Sequence, residues 1–319
     1  MGAAKPNKPV PFPVSKMRVE GLTDRTVLFL DQRSRYVFPK PTPYLLDTYE
    51  GAAAAYSLSR LRSSYTGPAV RVRRASNNDE LDIYFNRDGS LDTATLETFC
   101  AGTDGFVKVW YDQGQGGNDA EQTTTADQPQ IVNAGTVIYE NGLPALEFDG
   151  SSNYLDTPAI SALDTDVQSS FNVVTNDSTD NSAKFVWRSN YTSGSSSDSD
   201  QLTGVYKSNL FRFHARDTTG SLIVATNAYT TNQALISTVW DSSDVLSGKL
   251  NGVDFTDNNV TGADAVPSGH NFTRIGARSS TPELYWQGTM QEVVLYASDE
   301  SSNQSGIETN INDFYSIYP

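Results

Sequence analysis

The chain of 319 residues contains one cysteine, two histidines and three methionines. The lone Cys100 excludes an internal disulfide, so the fold does not depend on an oxidising compartment. The histidines, His214 and His270, are far apart and have no flanking ligand pattern. These scarcities argue against a disulfide scaffold and a histidine-based metal centre, and we expect no cofactor.

Long apolar runs are also missing. No segment approaches the roughly 18 apolar residues that a membrane-spanning helix needs, and no signal-peptide core follows the first lysines. Only 19% of residues are charged, and the net charge is −15. An acidic chain of this kind is a poor partner for nucleic acid or an anionic membrane, so neither is expected as a ligand.

Aromatic and small polar residues are abundant, with 16 tyrosines and 14 phenylalanines. Short apolar runs alternate with turn signals such as Asn141-Gly142, Asp149-Gly150 and Asn251-Gly252. The pattern predicts a mainly β protein, a β-sandwich or jelly roll over residues 46–319 with a few short helices. Helices are expected at 49–63, 91–99 and 304–315.

The first forty residues differ from the rest, with a net charge of +5 against −20. Half of the 14 prolines lie at or before Pro43. Such a segment cannot build a packed core, so residues 1–45 are predicted to form an extended basic arm that anchors the protein to an acidic partner. The proposed anchoring cations are Lys5, Lys8, Lys16, Arg18, Arg25, Arg33 and Arg35.

A glycine-rich loop, Asp112-Gln-Gly-Gln-Gly-Gly-Asn118, follows a predicted strand. It lacks the lysine and following helix of a phosphate-binding loop, which excludes nucleotide binding. Asp112 and Asn118 are weak candidates for Ca²⁺ binding through their oxygens, and the alternative is that they cap the turn.

Three segments resemble a known family. They are Ala54-Ala-Tyr-Ser-Leu-Ser-Arg through Arg74, Asp92 through Cys100, and Trp110-Tyr-Asp-Gln-Gly-Gln-Gly-Gly-Asn-Asp-Ala-Glu-Gln122. Together they look like the start of the fungal α-L-arabinofuranosidase B catalytic domain, a concanavalin-like sandwich. Residues 146–155 and 275–296 resemble laminin-G-like lectin domains, and such fused sequences are common in bacteriophage structural proteins.

Retaining glycosidases need two carboxyl groups at close range. In the resembled family these lie in two short segments, whose counterparts here are Tyr206-Lys-Ser-Asn-Leu-Phe211 and Ile275-Gly-Ala-Arg-Ser-Ser280. The resemblance places Lys207 and Arg278 at the two carboxylate positions, and no acid lies within three residues of either. It therefore implies a protein without catalytic residues that is not an enzyme.

Lectin-like sandwiches bind glycans with aromatic faces on their loops. The candidates are Trp187, Tyr191, Trp240, Tyr285 and Trp286, each with core or interface packing as the alternative. Because Tyr285 and Trp286 are adjacent, at most one of them is expected to face the core.

These observations together predict a non-enzymatic bacteriophage virion protein, a capsid-decoration, head-fibre or tail-fibre subunit located in the virion. Its partners would be other virion proteins, further copies of itself in a homotrimer, and a host cell-surface glycan. The alternatives are a carbohydrate-active hydrolase, arabinofuranosidase-like or a depolymerase, and a free carbohydrate-binding module.

Overall fold

The structure is a computed structural model that describes a defined part of the chain. The described residues are 26–27, 38–39, 43–165, 167–178, 183–192, 202–206, 210–216, 222–228, 230–258, 260–261, 269–278 and 283–319. The seven anchoring cations and Lys207 lie outside them, so the role of the arm stays a prediction. The chain divides into two units, Met1–Thr42 and Pro43–Pro319.

Within these ranges the first unit contributes one antiparallel strand pair. The second contains three α-helices, two short 3-10 helices at Thr125–Asp127 and Ser161–Leu163, and the remaining strands. The helices are α1 Leu45–Thr48, α2 Thr93–Phe99 and α3 Gln304–Tyr315. The strands are β1 Thr26–Val27, β2 Phe38–Pro39, β3 Ala52–Ser57, β4 Val70–Arg74, β5 Glu80–Ile83, β6 Gly105–Trp110, β7 Ala120–Glu121, β8 Gln130–Asn133, β9 Thr136–Val137, β10 Tyr139–Glu140, β11 Leu143–Pro144, β12 Leu146–Asp149, β13 Leu155–Asp156, β14 Gln168–Asn176, β15 Lys184–Tyr191, β16 Leu202–Tyr206, β17 Leu210–Arg216, β18 Leu222–Ala228, β19 Ala234–Trp240, β20 Val245–Leu250, β21 Val253–Asp254, β22 Val260–Thr261, β23 His270–Ile275 and β24 Gln287–Tyr296.

The second unit is built from two antiparallel layers. In the first, which we call the helix layer, β24 lies between β14 on one side and β3 and β12 on the other, and β19 and β20 continue beyond β14. In the second, the cleft layer, the order is β5–β4–β6–β7–β13–β23–β15–β16–β17–β18. Strand β8 joins the layers by pairing with β6 and β12. The mainly β sandwich predicted from the sequence is confirmed.

Two hydrophobic clusters explain why the layers pack. The larger lies between them and contains Trp110, Phe148 and Trp240. The smaller lies on the other face of the helix layer, where Ile307 and Ile311 of α3 contact apolar side chains that include Phe171. The helix layer is therefore apolar on both faces, as expected for a sheet that is covered twice.

Local patterns explain most elements. Val70 and Val72 are fully buried on β4, whereas Arg71 between them is half-buried on the opposite face, as the alternation predicts. Asp92 caps α2 by accepting a hydrogen bond from the Thr95 N–H at 3.0 Å. The predicted helices at 91–99 and 304–315 are confirmed as α2 and α3.

The helix predicted at 49–63 is wrong, because residues 52–57 form strand β3. This strand pairs with β24 in the register Tyr56↔Val293. Ala54 and Ala55 are both completely buried, one in each hydrophobic cluster. Small side chains fit a strand that is covered on both faces, and this packing outweighs the helix propensity of alanine. Among the described residues, no helix has the length and apolar character to span a bilayer.

Candidate functional site

The glycine-rich loop is folded around the carboxylate of Asp112. Its Oδ1 accepts hydrogen bonds from the N–H groups of Ala55 and Gly114, both at 2.8 Å, and Oδ2 accepts one from Asn118 at 3.0 Å. The Asn118 side chain donates to the Ala53 carbonyl at 2.8 Å. Both calcium candidates thus hold the loop against β3, while calcium binding itself stays a prediction.

Two carboxylates that follow this loop line a cleft of about 630 Å³. Asp119 directly follows the loop and accepts a hydrogen bond from the Asp112 N–H at 2.9 Å, and Glu121 lies two residues further on β7. Asp156 on β13 lines the same cleft, together with Tyr154. We call Asp119, Glu121 and Asp156 the cleft carboxylates.

Strand register places two of them face to face. Glu121 of β7 is the direct antiparallel partner of Asp156 of β13, whose partner on the other side is Arg274 of β23. Directly opposed residues point to the same face, with Cβ atoms about 4.5–5.5 Å apart. A carboxylate, a second carboxylate and a guanidinium therefore form one row across three adjacent strands.

Arg274 fixes the position of Asp156. Its Nε and Nη2 donate to the two carboxylate oxygens, each at 2.7 Å, and its Nη1 donates to the Arg278 carbonyl at 3.1 Å. The guanidinium carbon lies 4.2 Å from the centre of the Tyr154 ring and 5.2 Å from that of Phe272. Bidentate pairing and stacking leave the Asp156 carboxylate little rotational freedom.

The electrostatics of the cleft differ from one carboxylate to the next. Burial raises the pKa of Asp119, and the charges of Asp112 and Glu121 raise it further, against the lowering effect of the Asp112 N–H. Asp119 therefore keeps its proton to a higher pH than an ordinary aspartate does. A protonated Asp119 removes one negative charge beside Glu121.

Four of the five aromatic glycan candidates are buried in the sandwich. Trp187, Trp240 and Trp286 are at most 2% exposed and belong to the larger core cluster, and the Tyr191 hydroxyl donates to the Leu163 carbonyl at 3.2 Å. Tyr285 is half-buried, and its pKa is raised by burial and by the nearby Asp127 and Tyr154. Only one of the adjacent Tyr285 and Trp286 faces the core, as predicted, and a glycan contact by Tyr285 stays a prediction.

Arg278 has a carboxylate partner that a short sequence window misses. Its Nη1 contacts the Glu283 carboxylate at 2.5 Å, five positions along the chain. The carbonyl of Arg278 also accepts from Arg274, which connects this turn to the cleft. The acid that pairs with Arg278 therefore lies outside the three residues on either side of it.

Sequence reasoning did not single out any of the cleft carboxylates. Asp119 and Glu121 follow the glycine-rich loop that contains the calcium candidates, and their alternation with buried Ala120 is a weak strand signal. Asp156 and Arg274 are 118 residues apart, and only the register of β13 with β23 brings them together.

Comparison with known proteins supports the family likeness. The family described as α-L-arabinofuranosidase B, catalytic, matches residues 47–146. α-L-Arabinofuranosidase B of Penicillium canescens is 36% identical over 97 residues, which is 30% of this chain and 21% of that protein. A probable α-L-arabinofuranosidase B of Aspergillus flavus is 39% identical over 71 residues, 22% of this chain and 14% of that protein. The chain thus spans about a fifth or less of the length of these curated relatives.

Solved structures extend the likeness to most of the chain. A GH54 α-L-arabinofuranosidase soaked with a cyclic sulfate inhibitor superposes with a TM-score of 0.61 at 14% identity, covering 84% of this chain and 64% of that one. An arabinofuranosidase complexed with arabinofuranosyl-α-1,2-xylobiose gives a TM-score of 0.58 at 16% identity, with the same coverage. At this identity the likeness shows a shared fold.

These findings correct the functional prediction. The matching family and the curated relatives are arabinofuranosidases, so the prediction of a non-enzymatic virion protein is wrong. The expected virion location, virion partners and homotrimer are wrong with it. The wrong prediction had three grounds. The basic composition of the arm does not specify a partner, and a lectin-like sequence common in bacteriophage structural proteins does not specify a virion. The third ground was the expectation that the catalytic carboxylates would stand at Lys207 and Arg278.

Proposed function

We propose that the chain is a glycoside hydrolase of the arabinofuranosidase type, which cleaves a glycosidic bond in the cleft of the second unit. The observation that carries the proposal is the direct opposition of Glu121 and Asp156 across β7 and β13. Retaining glycosidases hold their two carboxyl groups about 5–5.5 Å apart. Direct strand partners have Cβ atoms about 4.5–5.5 Å apart, so the side chains of Glu121 and Asp156 start from adjacent positions on one face. The segment that matches the arabinofuranosidase catalytic family also includes Asp119 and Glu121.

The two residues have different surroundings, which suggests different roles. Asp156 is held by Arg274, and its side chain is 33% exposed, so it is positioned to attack the anomeric carbon. Each of its oxygens keeps a second lone pair for that attack after bonding Arg274. Glu121 is exposed at the cleft and is free to reach the leaving-group oxygen.

The reaction then proceeds in two steps. An Asp156 oxygen bonds to the anomeric carbon while the bond to the leaving oxygen breaks and Glu121 gives that oxygen its proton. Glu121 next takes a proton from water, which attacks the anomeric carbon and releases Asp156 as a carboxylate.

The test is hydrolysis of 4-nitrophenyl α-L-arabinofuranoside by the full chain, followed through release of nitrophenolate. We expect turnover by the wild type and none for Asp156→Asn, because an amide cannot form the covalent intermediate. Glu97→Gln, at an exposed position on α2 away from the cleft, is the matched control and should keep wild-type activity. The proposal fails if the wild type releases no product from this or other aryl glycosides, or if Asp156→Asn is as active as Glu97→Gln.

A further inference from the structure

Three tyrosines lie on the outer part of the cleft layer, beyond the cleft carboxylates. Tyr84 follows β5 and is 49% exposed, and Tyr111 follows β6 and donates to Asp82 Oδ1 at 2.8 Å. Tyr65 is half-buried, and its hydroxyl donates to the Pro68 carbonyl at 2.9 Å. We call Tyr65, Tyr84 and Tyr111 the tyrosine strip.

Tyr84, Tyr111 and the cleft carboxylates Glu121 and Asp156 share one face of the sheet. Successive cross-strand partners run Asp82↔Arg71↔Val109↔Glu121↔Asp156 over the adjacent strands β5, β4, β6, β7 and β13. Direct partners point to the same face of the sheet. Tyr84 is two positions after Asp82, and Tyr111 is two positions after Val109, so both tyrosines continue on that face. With strands about 4.8 Å apart, Asp82 lies about 14 Å from Glu121, which is longer than one sugar ring.

Electrostatic coupling agrees with this placement. Burial raises the pKa of Tyr65, and the charges of Asp119, Asp112 and Asp82 raise it further. The pKa of Tyr111 is raised by burial and by its hydrogen bond to Asp82, with a smaller effect of Asp119. Tyr65 and Tyr111 thus lie within the electrostatic reach of both Asp82 and Asp119, one of the cleft carboxylates.

The chemistry of the strip suits a carbohydrate. A tyrosine offers an apolar ring face for the C–H groups of a sugar and a hydroxyl at its edge. Beside it, Arg71 and Asp82 form a bidentate pair at 2.7 and 2.9 Å whose side chains are 39% and 26% exposed, so both present polar atoms to sugar hydroxyls.

We propose that the tyrosine strip and the Arg71–Asp82 pair form a row of subsites for successive sugars of a glycan chain whose reacting bond lies in the cleft. This inference rests on the proposed function and names its substrate class, an oligosaccharide or polysaccharide rather than a single terminal sugar.

The test compares substrates of increasing length. Tyr84→Ala should lower kcat/KM about ten-fold on the longest linear arabino-oligosaccharides and leave 4-nitrophenyl α-L-arabinofuranoside unaffected, because only a long chain reaches Tyr84. Tyr84→Phe, which keeps the ring, should retain most of the activity on long chains. Tyr139→Ala is the matched control, since Tyr139 is 46% exposed on the β10–β11 hairpin, whose Asn141 contacts the end of α3.

A binding measurement separates this inference from the proposed function. Affinity electrophoresis in gels containing arabinan or arabinoxylan reports polysaccharide binding whether or not the protein is an enzyme. Slower migration of the wild type that Tyr84→Ala weakens, without any hydrolysis, would support the strip and refute the hydrolase. Hydrolysis that Tyr84→Ala leaves unchanged at every chain length would refute the strip and support the hydrolase. Neither binding nor hydrolysis would refute both.

Discussion

The two layers of the sandwich place carboxylates in opposite settings. In the cleft layer, Glu121 is exposed and Asp156 is a third exposed, and both line an open cleft. In the helix layer, Glu292 is 2% exposed. The side chain of Glu308, on the helix α3 that packs against this layer, is 5% exposed. The same functional group is therefore open to a substrate in one layer and closed to it in the other.

The carboxylates of the helix layer hold elements together. Glu292 Oε2 accepts hydrogen bonds from Ser57 Oγ of β3 at 2.9 Å and from the Tyr315 hydroxyl of α3 at 3.2 Å. Glu308 accepts from Ser237 of β19 and lies 3.9 Å from the Lys249 ammonium. Burial raises the pKa of both acids, that of Glu292 to about 7.

The difference teaches that a perturbed carboxyl group does not by itself identify a reaction site. Burial raises the pKa of Asp119 as it does that of Glu308. Only Asp119 has a cleft beside it and two further carboxylates on the same face. A carboxylate is a candidate for catalysis when a substrate can reach it and a second carboxylate lies nearby. A buried carboxylate without these features supports the structure.

The largest effect should come from exchanging one carboxylate in each layer for its amide. Glu121→Gln should lower kcat/KM by about 10²–10⁴-fold, since an amide cannot transfer the proton. Glu308→Gln should leave the kinetics near wild type and change only the stability. Steady-state kinetics and thermal unfolding of both variants check this. Equal losses of kcat/KM in both variants would contradict the assignment of catalysis to the cleft layer alone.

A second prediction concerns the pH dependence of stability. The folded state holds the Glu292 proton up to about pH 7, whereas an unfolded glutamate releases it near 4.5. The folded state thus binds more protons in this window, so the free energy of unfolding falls as the pH rises from about 4.5 to 7.

Glu292→Gln keeps the neutral form at every pH. It should raise the free energy of unfolding at pH 8 by on the order of 3 kcal/mol and leave it unchanged at pH 4. Urea unfolding of both proteins at the two pH values measures the difference. A variant that is destabilised at pH 8 but not at pH 4 would show that Glu292 is needed as a charged group, and would contradict this account.

The smallest expected effect concerns a carboxylate that is partly exposed to solvent but lies outside the cleft. Asp92 is only partly buried but lies at the start of α2, where hydrogen bonds to Thr95 lower its pKa. Asp92→Ala should cost about 1 kcal/mol in the free energy of unfolding, as for other helix caps, and leave kcat/KM unchanged. A kinetic loss as large as that of Glu121→Gln would mean that surface carboxylates outside the cleft also serve the reaction.

Much of the fold could be predicted from the sequence, because alternation is a local property. Arg71 between Val70 and Val72 assigns the faces of β4, and Asp92 marks the start of α2. The failure at 52–57 has a non-local cause. Alanines have a high helix propensity, yet β24, more than 230 residues later, pairs with them in a strand covered on both sides.

The candidate site could not be predicted from the sequence, because it too depends on pairing between strands that are distant in the chain. Asp119 and Glu121 are close in sequence, but their opposition to Asp156 depends on the register of β7 with β13, which a one-residue slip would reverse. Nothing in the residues around Asp156 indicates Arg274 as its partner. Sequence windows around Lys207 and Arg278 therefore led to the wrong conclusion about enzymatic activity.

The configuration of the first sugar released tests the central claim most directly. Proton NMR during hydrolysis of 4-nitrophenyl α-L-arabinofuranoside distinguishes the anomers before they interconvert. Because Glu121 and Asp156 are direct strand partners, and retaining enzymes hold their two carboxyl groups close together, we predict that the first product keeps the α configuration. A first product of inverted configuration, or no product at all, would contradict the assignment of these two carboxylates.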